Sequence, residues 1–401
     1  MARIYLDARN ITDQPAGVAR YAQALIAQLV RQAPQHEFVT LRHQSNQRPI
    51  VDDQPNLPEL PVECPIDGVQ NFVFGHRTLE AAIARGNKPD LYHCLFHLLP
   101  LKTRRVLGDI PVLTTLHDFV WIDHPDASQP TFVKARAIEA FARVALPHAL
   151  RTSDKVIAIS EPTRRRARSF IEDHKMVTIS HGVDEAFFEP PRRPTGDFEE
   201  LNDPERPCIV AIGNGKEYKN FPLLIDAFEE LVAEGVSARL VLVGDCEDLA
   251  LKIAHTQVSE WITVTETIDD QTLRRILGRA RVFVFPSTVE GFGLPLLEAM
   301  AMGIPAVVAN VEPMRSIADE AALFFSPDDR SGLAHLIRRI ITDDELSKTL
   351  SRRGRLRAAQ FRWDDTARRT LQLYDEMLRT SSTMRSVNSS IESEASSLKI
   401  G

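Results

Sequence analysis

Two carboxylates flank a glycine-rich turn in the segment EGFGLPLLEAMAMGIP, residues 290–305. Glu290 precedes the turn, and Glu298 lies in the first turns of a predicted helix, because Pro295 suits a helix start and Gly303 a helix end. Glycines let a backbone pass close to a bound group, and the free N–H groups of a helix N-terminus attract anions. The segment therefore predicts a binding site for a phosphorylated ligand, with an acidic group on either side of it.

The turn follows directly on the apolar segment ARVFVFPS and consists of Gly291, Phe292, Gly293 and Leu294. A purely structural interpretation makes Glu298 a solvated or capping helix residue and Glu290 a loop charge. Few structural needs require the whole set, so the ligand-binding interpretation is favoured. The oxygens of Glu298 would then accept from both hydroxyls of a ribose, while N–H groups of the turn hold phosphate or sugar oxygens.

Further candidates lie at other predicted strand ends and strand-to-helix turns. Lys216 and Lys219 lie in GNGKEYKN, between a strand and a helix, where a cation can meet a diphosphate leaving group. His117 ends the apolar strand PVLTTLHD, and Gly17 begins a helix where backbone N–H groups can approach a ligand. The alternatives are solvated lysines, a hydrogen-bonded structural histidine and an ordinary turn glycine.

Composition limits the class of protein. A length of 401 residues favours two domains, and a net charge of -7 argues against a nucleic-acid binder. The four cysteines are far apart without a C-x-x-C pair, so reduced thiols are expected, and neither zinc nor disulfides. No D-x-D triplet occurs, which predicts chemistry without a metal or other cofactor. No apolar run approaches the roughly 18 residues of a membrane span, so a cytoplasmic protein is expected.

The alternation of apolar runs and helical stretches predicts an α/β protein with parallel sheets. Six strands are predicted in each half, the first six being ARIYLDA, EFVTLRH, DLYHCLF, PVLTTLHD, KVIAIS and MVTISHG and the second six PCIVAIG, ARLVLVG, WITVTETI, ARVFVFPS, PAVVAN and ALFF. A proline-rich, charged stretch between the halves predicts a linker. The predicted organisation is a first domain over 1–188, the linker 189–206, a second domain over 207–364, a helix over 365–380 that closes the second domain or crosses back, and a disordered tail over 381–401.

Basic runs recur in the first half, at 102–105, 134–151 and 163–168. Solvated helix faces are one explanation. The other is a peripheral contact with anionic lipid at the inner face of a membrane, in which these cations act together with apolar residues such as Phe132 and Phe170.

Taken together, these residues resemble the family-4 retaining glycosyltransferases of the GT-B fold, in which two Rossmann-like domains face each other across a cleft. The strongest match is the E-x7-E pattern from Glu290 to Glu298 in its full context. The resemblance continues through GVARY, TTLHDF, VIAISEPTRRRA, ISHGVDEAF, GNGKEYKNFPLLIDAF and FRWDDTARRTLQLY, and so spans nearly the whole chain.

The resemblance implies a role for each candidate. Glu298 looks like the residue that binds the nucleotide ribose, and Glu290 like the one that faces the hydroxyls of the donor sugar. The turn of residues 291–294 matches backbone that contacts sugar and phosphate. The remaining matches are Lys219 with the lysine that stabilises the departing diphosphate, His117 with a histidine against the donor sugar, and Gly17 with the loop near the phosphates. The arginine that relatives often carry near this lysine is replaced by Tyr218 or Asn214, and Lys216 would supply the second positive charge.

The implied reaction moves a sugar from a nucleotide sugar onto a glycan or lipid-linked glycan in cell-surface polysaccharide synthesis. Similarity to bacterial mannosyltransferases favours GDP-mannose as the donor. A UDP-sugar donor, a sugar-nucleotide epimerase of similar architecture and a non-catalytic binding protein are the alternatives. An epimerase would need acid/base groups but no acceptor site. A non-catalytic protein would be expected to lack Glu290, Glu298 or Lys219, and all three are present.

Overall fold

The computed structural model describes residues 1–11, 17–46, 49–51, 54, 56–66, 68–128, 131–189, 201, 203, 205–266 and 268–397, with side chains up to Thr383. The chain divides into two compact units. Unit 1 comprises Met1–Ile122, Ala137–His181 and Trp363–Gly401, and unit 2 comprises Asp123–Arg136 and Gly182–Arg362. Most of the predicted linker, 189–206, lies outside the described residues.

Unit 1 is built on a parallel sheet. The described elements up to its last strand are β1 (Arg3–Asp7), α1 (Gly17–Gln32), β2 (Glu37–His43), β3 (Glu59–Val62), α2 (Gly68–Gly86), β4 (Leu91–Cys94), α3 (Thr103–Leu107), β5 (Val112–Leu116), α4 (Val120–Asp123), α5 (Pro125–Ser128), α6 (Phe132–Thr152), β6 (Lys155–Ala158), α7 (Glu161–Ala167) and β7 (Met176–Thr178). Of these, α5 and the first residues of α6 belong to unit 2. The strand order is β3-β2-β1-β4-β5-β6-β7. In the central register, Leu6 lies between Thr40 on β2 and His93 on β4. The direction of winding therefore reverses between β1 and β4.

Unit 2 repeats the same plan. Its described elements are β8 (Cys208–Ile212), α8 (Phe221–Ala233), β9 (Arg239–Val243), α9 (Ala250–His255), β10 (Ile262–Thr265), α10 (Asp270–Leu277), β11 (Ala280–Phe285), α11 (Leu294–Ala301), β12 (Ala306–Ala309), α12 (Met314–Ala318), β13 (Ala322–Phe325), α13 (Arg330–Thr342) and α14 (Asp344–Ala358). The strand order is β10-β9-β8-β11-β12-β13, again parallel. The reversal falls between β8 and β11, and ligands of open α/β sheets bind beyond the strand ends at such a point.

Burial explains why these segments form strands and helices. The central strands are apolar on both faces, as β4 and β5 are buried at every position, which parallel sheets covered by helices require. Most of the longer helices bury one side, whereas α11 is buried at all of its positions except Pro295. In α8, for example, Phe221, Leu224 and Phe228 are buried at helical spacing. The predicted α/β class with two doubly wound, Rossmann-like domains is confirmed.

One strand escaped prediction. All twelve predicted strands are present, but unit 1 also contains β3, the segment ELPV, at the edge of its sheet beside β2. It is four residues long and includes Pro61, which lacks a backbone donor and is tolerated only at a sheet edge or a strand start. Neither its length nor its composition distinguishes it from a loop in the sequence.

The C-terminal helix differs from its prediction at both ends. α15 runs from Trp363 to Ser397, whereas the sequence predicted a helix over 365–380 and a disordered tail from 381. No proline or glycine occurs between Trp363 and Lys399, so nothing in the backbone chemistry ends the helix at residue 380. α15 packs along α1, and Ala367 and Tyr374 are fully buried in the core of unit 1.

Candidate functional site

The candidate residues of unit 2 gather at its topological switch point. Lys219 lies in the loop after β8, and Glu290 lies in the loop after β11, the neighbouring strand. Both loops leave the carboxyl ends of their strands, so parallel pairing brings them to the same edge of the sheet. The structure joins the two side chains directly: Nζ of Lys219 donates to Oε1 of Glu290 at 2.5 Å.

This ion pair is largely removed from solvent. The side chain of Lys219 is 12% exposed and that of Glu290 is 14% exposed. Burial alone would lower the pKa of Lys219, but the adjacent Glu290 carboxylate outweighs it, and the pKa is raised above its usual value. The ammonium also lies 5.2 Å from the ring centre of Tyr218 and 5.7 Å from that of Phe285. The lysine is therefore a fixed, fully charged cation.

Local backbone structure sets the direction of Lys219. A 3-10 turn over Glu217–Lys219 ends at Asn220, which adopts a left-handed conformation with φ 55°. The side-chain amide of Asn220 donates to the carbonyl of Pro327 at 2.7 Å, which ties the turn to the loop after β13. A β-carbon at Gly213 would lie 3.1 Å from the stem of Lys219, so a glycine there lets the lysine pass close to the end of β8.

Thr288 joins the lysine loop to the Glu290 loop. Its backbone N–H donates to the carbonyl of Tyr218 at 2.8 Å, and its hydroxyl donates to the same oxygen at 3.2 Å. The two loops are thus held by main-chain contact as well as by the ion pair. Sequence reasoning missed Thr288 and Asn220, because neither has a local pattern and each acts on a partner distant in the sequence.

The turn between the two glutamates is a genuine constraint on residue type. Gly293 has φ 103°, and a β-carbon there would lie 2.7 Å from the methyl group of Met314. An L side chain would be strained at this positive φ whatever space surrounds it, so the turn favours glycine. α11 begins at Leu294, with Pro295 in its first turn as predicted, so the N–H of Leu294 is one of those that find no partner within the helix.

Glu298 is buried within α11, with 3% of its surface exposed. A carboxylate in such a position requires polar partners, since burial of an unpaired charge is costly. Its placement one helical turn after the N-terminus puts it on the same element whose first N–H groups face the loop. The structure thus brings Lys219, Glu290, Gly291, Phe292, Gly293, Leu294 and Glu298 into one region of unit 2.

Lys216 stands apart from this group. It is solvent-exposed and directly precedes the 3-10 turn that carries Lys219. The loop that holds it is tied to the end of β9, where Gly215 donates to the carbonyl of Asp245 at 2.7 Å. Its role as a second positive charge stays a prediction.

A further glycine contact supports the same edge of the sheet. Gly244, after β9, has φ 120°, and a β-carbon on it would lie 1.9 Å from the carbonyl oxygen of Gly213. Sequence reasoning did not select Gly244, although a glycine directly after the apolar strand ARLVLV is the available signal.

The candidates of unit 1 lie at its own strand ends. His117 follows β5 and is 2% exposed, and its Nε2 donates to the carbonyl of Leu95 at 2.9 Å. Burial, with a smaller effect of nearby His97, lowers the pKa of His117 to about 4. The imidazole is therefore neutral at pH 7, and because Nε2 carries the proton, Nδ1 is the acceptor nitrogen. Gly17 begins α1, and a β-carbon on it would meet nothing within 4 Å.

Comparison with known proteins places the chain in a family. Residues 15–187 match the model of Glycosyltransferase Family 4, and residues 193–357 match that of Glycosyl transferases group 1. Together the two matches span most of the chain, one on each half. The protein belongs to the family-4 glycosyltransferases of the GT-B fold.

Individual relatives agree with this assignment. The chain is 26% identical over 317 residues to O-antigen chain mannosyltransferase B of Escherichia coli, covering 76% of this chain and 79% of that protein. It is 32% identical over 195 residues to a GDP-mannose-dependent phosphatidylinositol dimannoside mannosyltransferase of Mycobacterium tuberculosis, a match to 48% of this chain and 50% of that protein. The fold resembles sucrose-phosphate synthase from Thermosynechococcus elongatus, with a TM-score of 0.74, 20% identity and coverage of 95% and 100%.

Two negative findings apply to the described part of the chain. None of its helices combines the length and apolar character that a bilayer span requires. Nor do its histidines, cysteines and carboxylates include a group of three or more placed to hold a metal ion.

Proposed function

We propose that the protein transfers mannose from GDP-mannose to a glycan or lipid-linked glycan acceptor, with retention of the anomeric configuration, in cell-surface polysaccharide synthesis. The observation that carries the site assignment is the buried Lys219–Glu290 pair at the switch point of unit 2. Family membership supports the reaction class, and two mannosyltransferase relatives support the sugar. Both family matches are to glycosyltransferases, so an epimerase is not favoured.

In this proposal the bond between the anomeric carbon and the diphosphate oxygen breaks while the acceptor hydroxyl bonds to the same face of that carbon. The acceptor proton passes to the departing diphosphate. Lys219 and the N–H groups of the Gly291–Leu294 turn stabilise the developing negative charge. Glu290 orients the sugar hydroxyls, Glu298 accepts from the ribose hydroxyls, and the Nδ1 lone pair of His117 accepts from a sugar hydroxyl.

We also propose that transfer needs no metal ion. The buried ammonium of Lys219 provides the positive charge that a divalent ion would otherwise bring to a leaving diphosphate. EDTA should therefore leave the transfer rate unchanged. Strong inhibition that only added Mg²⁺ or Mn²⁺ reverses would refute this part of the proposal.

The first experiment is calorimetric titration of the purified protein with GDP, UDP and ADP in the absence of metal. Binding of GDP alone is expected. Preferential binding of UDP would retain the enzyme class and overturn the donor, and no binding by any nucleotide would overturn the site. Incubation with radiolabelled GDP-mannose and mannosylated oligosaccharides then tests transfer itself.

Two variants divide the roles of the carboxylates. Glu298→Gln should weaken GDP binding roughly 10- to 100-fold, because a charge-assisted bond to the ribose is lost. Glu290→Gln should chiefly lower kcat. The matched control is Glu320→Gln, an exposed carboxylate of the same unit that should change neither quantity. Wild-type kinetics in both site variants would contradict the assignment.

We further propose that α6 contacts an anionic membrane surface. Phe132, Val133 and Val144 on this helix are 72%, 77% and 60% exposed. The helix carries four cationic residues, at positions 134, 136, 143 and 151, and Glu139 is its one acidic residue. The guanidinium of Arg136 lies 5.3 Å from the ring centre of Phe132. Exposed apolar side chains among cations are the chemistry that a negatively charged lipid surface binds.

Flotation with vesicles tests this contact. The protein should float with phosphatidylglycerol-containing vesicles at low salt, less at high salt, and not with pure phosphatidylcholine. The double variant Phe132→Ser, Val133→Ser should lose flotation. The control is Leu251→Ser, which removes a 75% exposed apolar residue of unit 2 and should leave flotation unchanged. Equal losses in both variants, or binding independent of lipid charge, would refute the proposal.

A further inference from the structure

Tyr21 packs against two imidazoles of unit 1. Its ring meets His117 edge to face, with the ring centres 5.0 Å apart and the planes at 83°. On the same ring His181 stacks at 4.6 Å and 27°, and Trp363 lies 6.0 Å away. Tyr21, His117 and His181 are all at most 4% exposed. The position of the His117 ring therefore depends on where Tyr21 is held.

A chain of hydrogen bonds holds Tyr21. Its hydroxyl lies 3.0 Å from Oγ1 of Thr115, which lies 2.9 Å from Nε2 of His93. Nδ1 of His93 in turn lies 2.7 Å from the hydroxyl of Tyr374 on α15. Tyr374, His93 and Thr115 are fully buried, so no water competes for these bonds.

The ring of His93 decides which groups donate along this series of hydrogen bonds. Burial lowers the pKa of His93 to about 3, so its ring is neutral and has one N–H and one acceptor nitrogen. If Tyr374 donates to Nδ1, then Nε2 donates to Thr115, whose hydroxyl can either donate to Tyr21 or accept a second bond from it. If Thr115 instead donates to Nε2, then Nδ1 donates to Tyr374 and Tyr21 donates to Thr115. In each arrangement Thr115 and His93 link the two tyrosines, which lie on different helices.

We propose that Tyr21 is a positioning residue for His117, and that the chain through Thr115 and His93 lets the C-terminal helix α15 hold Tyr21. Thr115 has two connections to the site: it hydrogen-bonds towards Tyr21, and it lies on β5 two residues before His117, which directly follows that strand. The Leu95 carbonyl fixes which nitrogen of His117 carries the proton, and Tyr21 fixes the plane of the ring. The inference rests on the proposed function in that it takes His117 to face the donor sugar during transfer.

Tyrosine-to-phenylalanine variants test the proposal. Tyr21→Phe and Tyr374→Phe each keep the aromatic ring and remove the hydroxyl at one end of the series of hydrogen bonds. The matched control is Tyr5→Phe, because Tyr5 is equally buried in unit 1 and its hydroxyl donates to the carbonyl of Asn87 at 2.6 Å. For each variant we would measure the denaturant midpoint, kcat and KM for the donor, and the ring-nitrogen NMR signals of His117, which His117→Gln identifies by their loss.

The wild-type spectrum should show the Nε2–H form of His117. Tyr21→Phe and Tyr374→Phe should lower kcat roughly tenfold with little change in KM, because a misplaced group loses transition-state interactions more than ground-state binding. Their His117 signals should shift or report mixed tautomers. Tyr5→Phe should lose similar stability with kcat and the spectrum unchanged.

Two outcomes would overturn the inference: wild-type kcat and His117 signals in Tyr21→Phe, or the same changes in Tyr5→Phe as in the two chain variants. Failure of the proposed function gives a different result. A wild-type protein that transfers no sugar would refute that function, whereas the NMR signals would still decide whether Tyr21 positions His117.

Discussion

Acid should destabilise unit 1 through its buried histidines. Burial lowers the pKa of His93 and His97 to about 3 and that of His117 to about 4. In the unfolded chain these groups titrate near their ordinary pKa of roughly 6.5. Below about pH 6.5 the unfolded state binds protons that the folded state does not bind, so the free energy of unfolding falls as the pH falls.

The magnitude follows from the pKa difference. At pH 5 each histidine contributes a loss of about 2 kcal/mol relative to pH 8, because 1.5 pH units below the unfolded pKa correspond to about that free energy. The three together contribute about 6 kcal/mol, which is a large part of the stability of an ordinary domain. The loss at pH 5 depends only on the folded pKa values lying below 5, not on their individual values.

The test compares the pH dependence of variants. His97→Gln should retain about 2 kcal/mol more of its pH 8 stability at pH 5 than the wild type does. Comparing each protein with itself at two pH values removes the packing cost of the substitution. The measurement is urea unfolding at pH 8 and pH 5, followed by hydrogen exchange in peptides of β4 and β5. The control is His174→Gln, an exposed histidine of the same unit.

The reasoning would be refuted if His97→Gln and the wild type lost equal stability between pH 8 and pH 5. It would also be refuted if His174→Gln gave the same gain as His97→Gln, because the effect would then not depend on burial of the imidazole. Stability that rises on acidification would show that the folded state binds the additional protons.

Three other perturbations have defined outcomes. Lys219→Ala should lower kcat roughly 100-fold or more because the cation is lost, and Lys219→Arg should retain part of the rate because it keeps the charge. Initial rates measure both variants. An equal loss of rate in the two would mean that a positive charge at this position is not sufficient. Gly293→Ala should lower the free energy of unfolding by about 1–3 kcal/mol and weaken GDP binding, because residue 293 has a positive φ and lies against Met314. An unchanged urea midpoint would contradict this. Truncation after Thr380 retains Tyr374 and Met377, the last buried residues recorded on α15, and should leave the thermal midpoint and transfer rate unchanged; a lower midpoint would show that the later helix contributes to stability.

Sequence patterns were sufficient where a local rule decides the structure. Apolar runs specified twelve strands, and the glycine, proline and glutamate spacing of residues 290–305 specified a turn, a helix start and two nearby carboxylates. The order of the strands within each sheet could not be predicted from these local patterns, because it depends on contacts between distant segments. β3 was missed because a four-residue edge strand with Pro61 has no periodicity to detect.

The supporting residues were beyond sequence reasoning for a different reason. Asn220 and Thr288 act through hydrogen bonds to Pro327 and Tyr218, which are remote in the chain. Side-chain type alone does not identify such a partner. The C-terminal helix extends beyond its predicted end because serine in a segment without proline or glycine weakens a helix without ending it.

Membership of α15 in unit 1 has a consequence for the order in which the protein matures on the ribosome. The chain segments of unit 2 all precede Trp363, whereas the core of unit 1 requires Ala367 and Tyr374. A growing chain therefore contains all of unit 2 before it contains all of unit 1, although unit 1 begins at the N-terminus. In nascent unit 1 the apolar surface of α1 stays uncovered until α15 is synthesised. Unit 2 can therefore complete its fold before unit 1, which is the reverse of the usual order in which the N-terminal domain folds first.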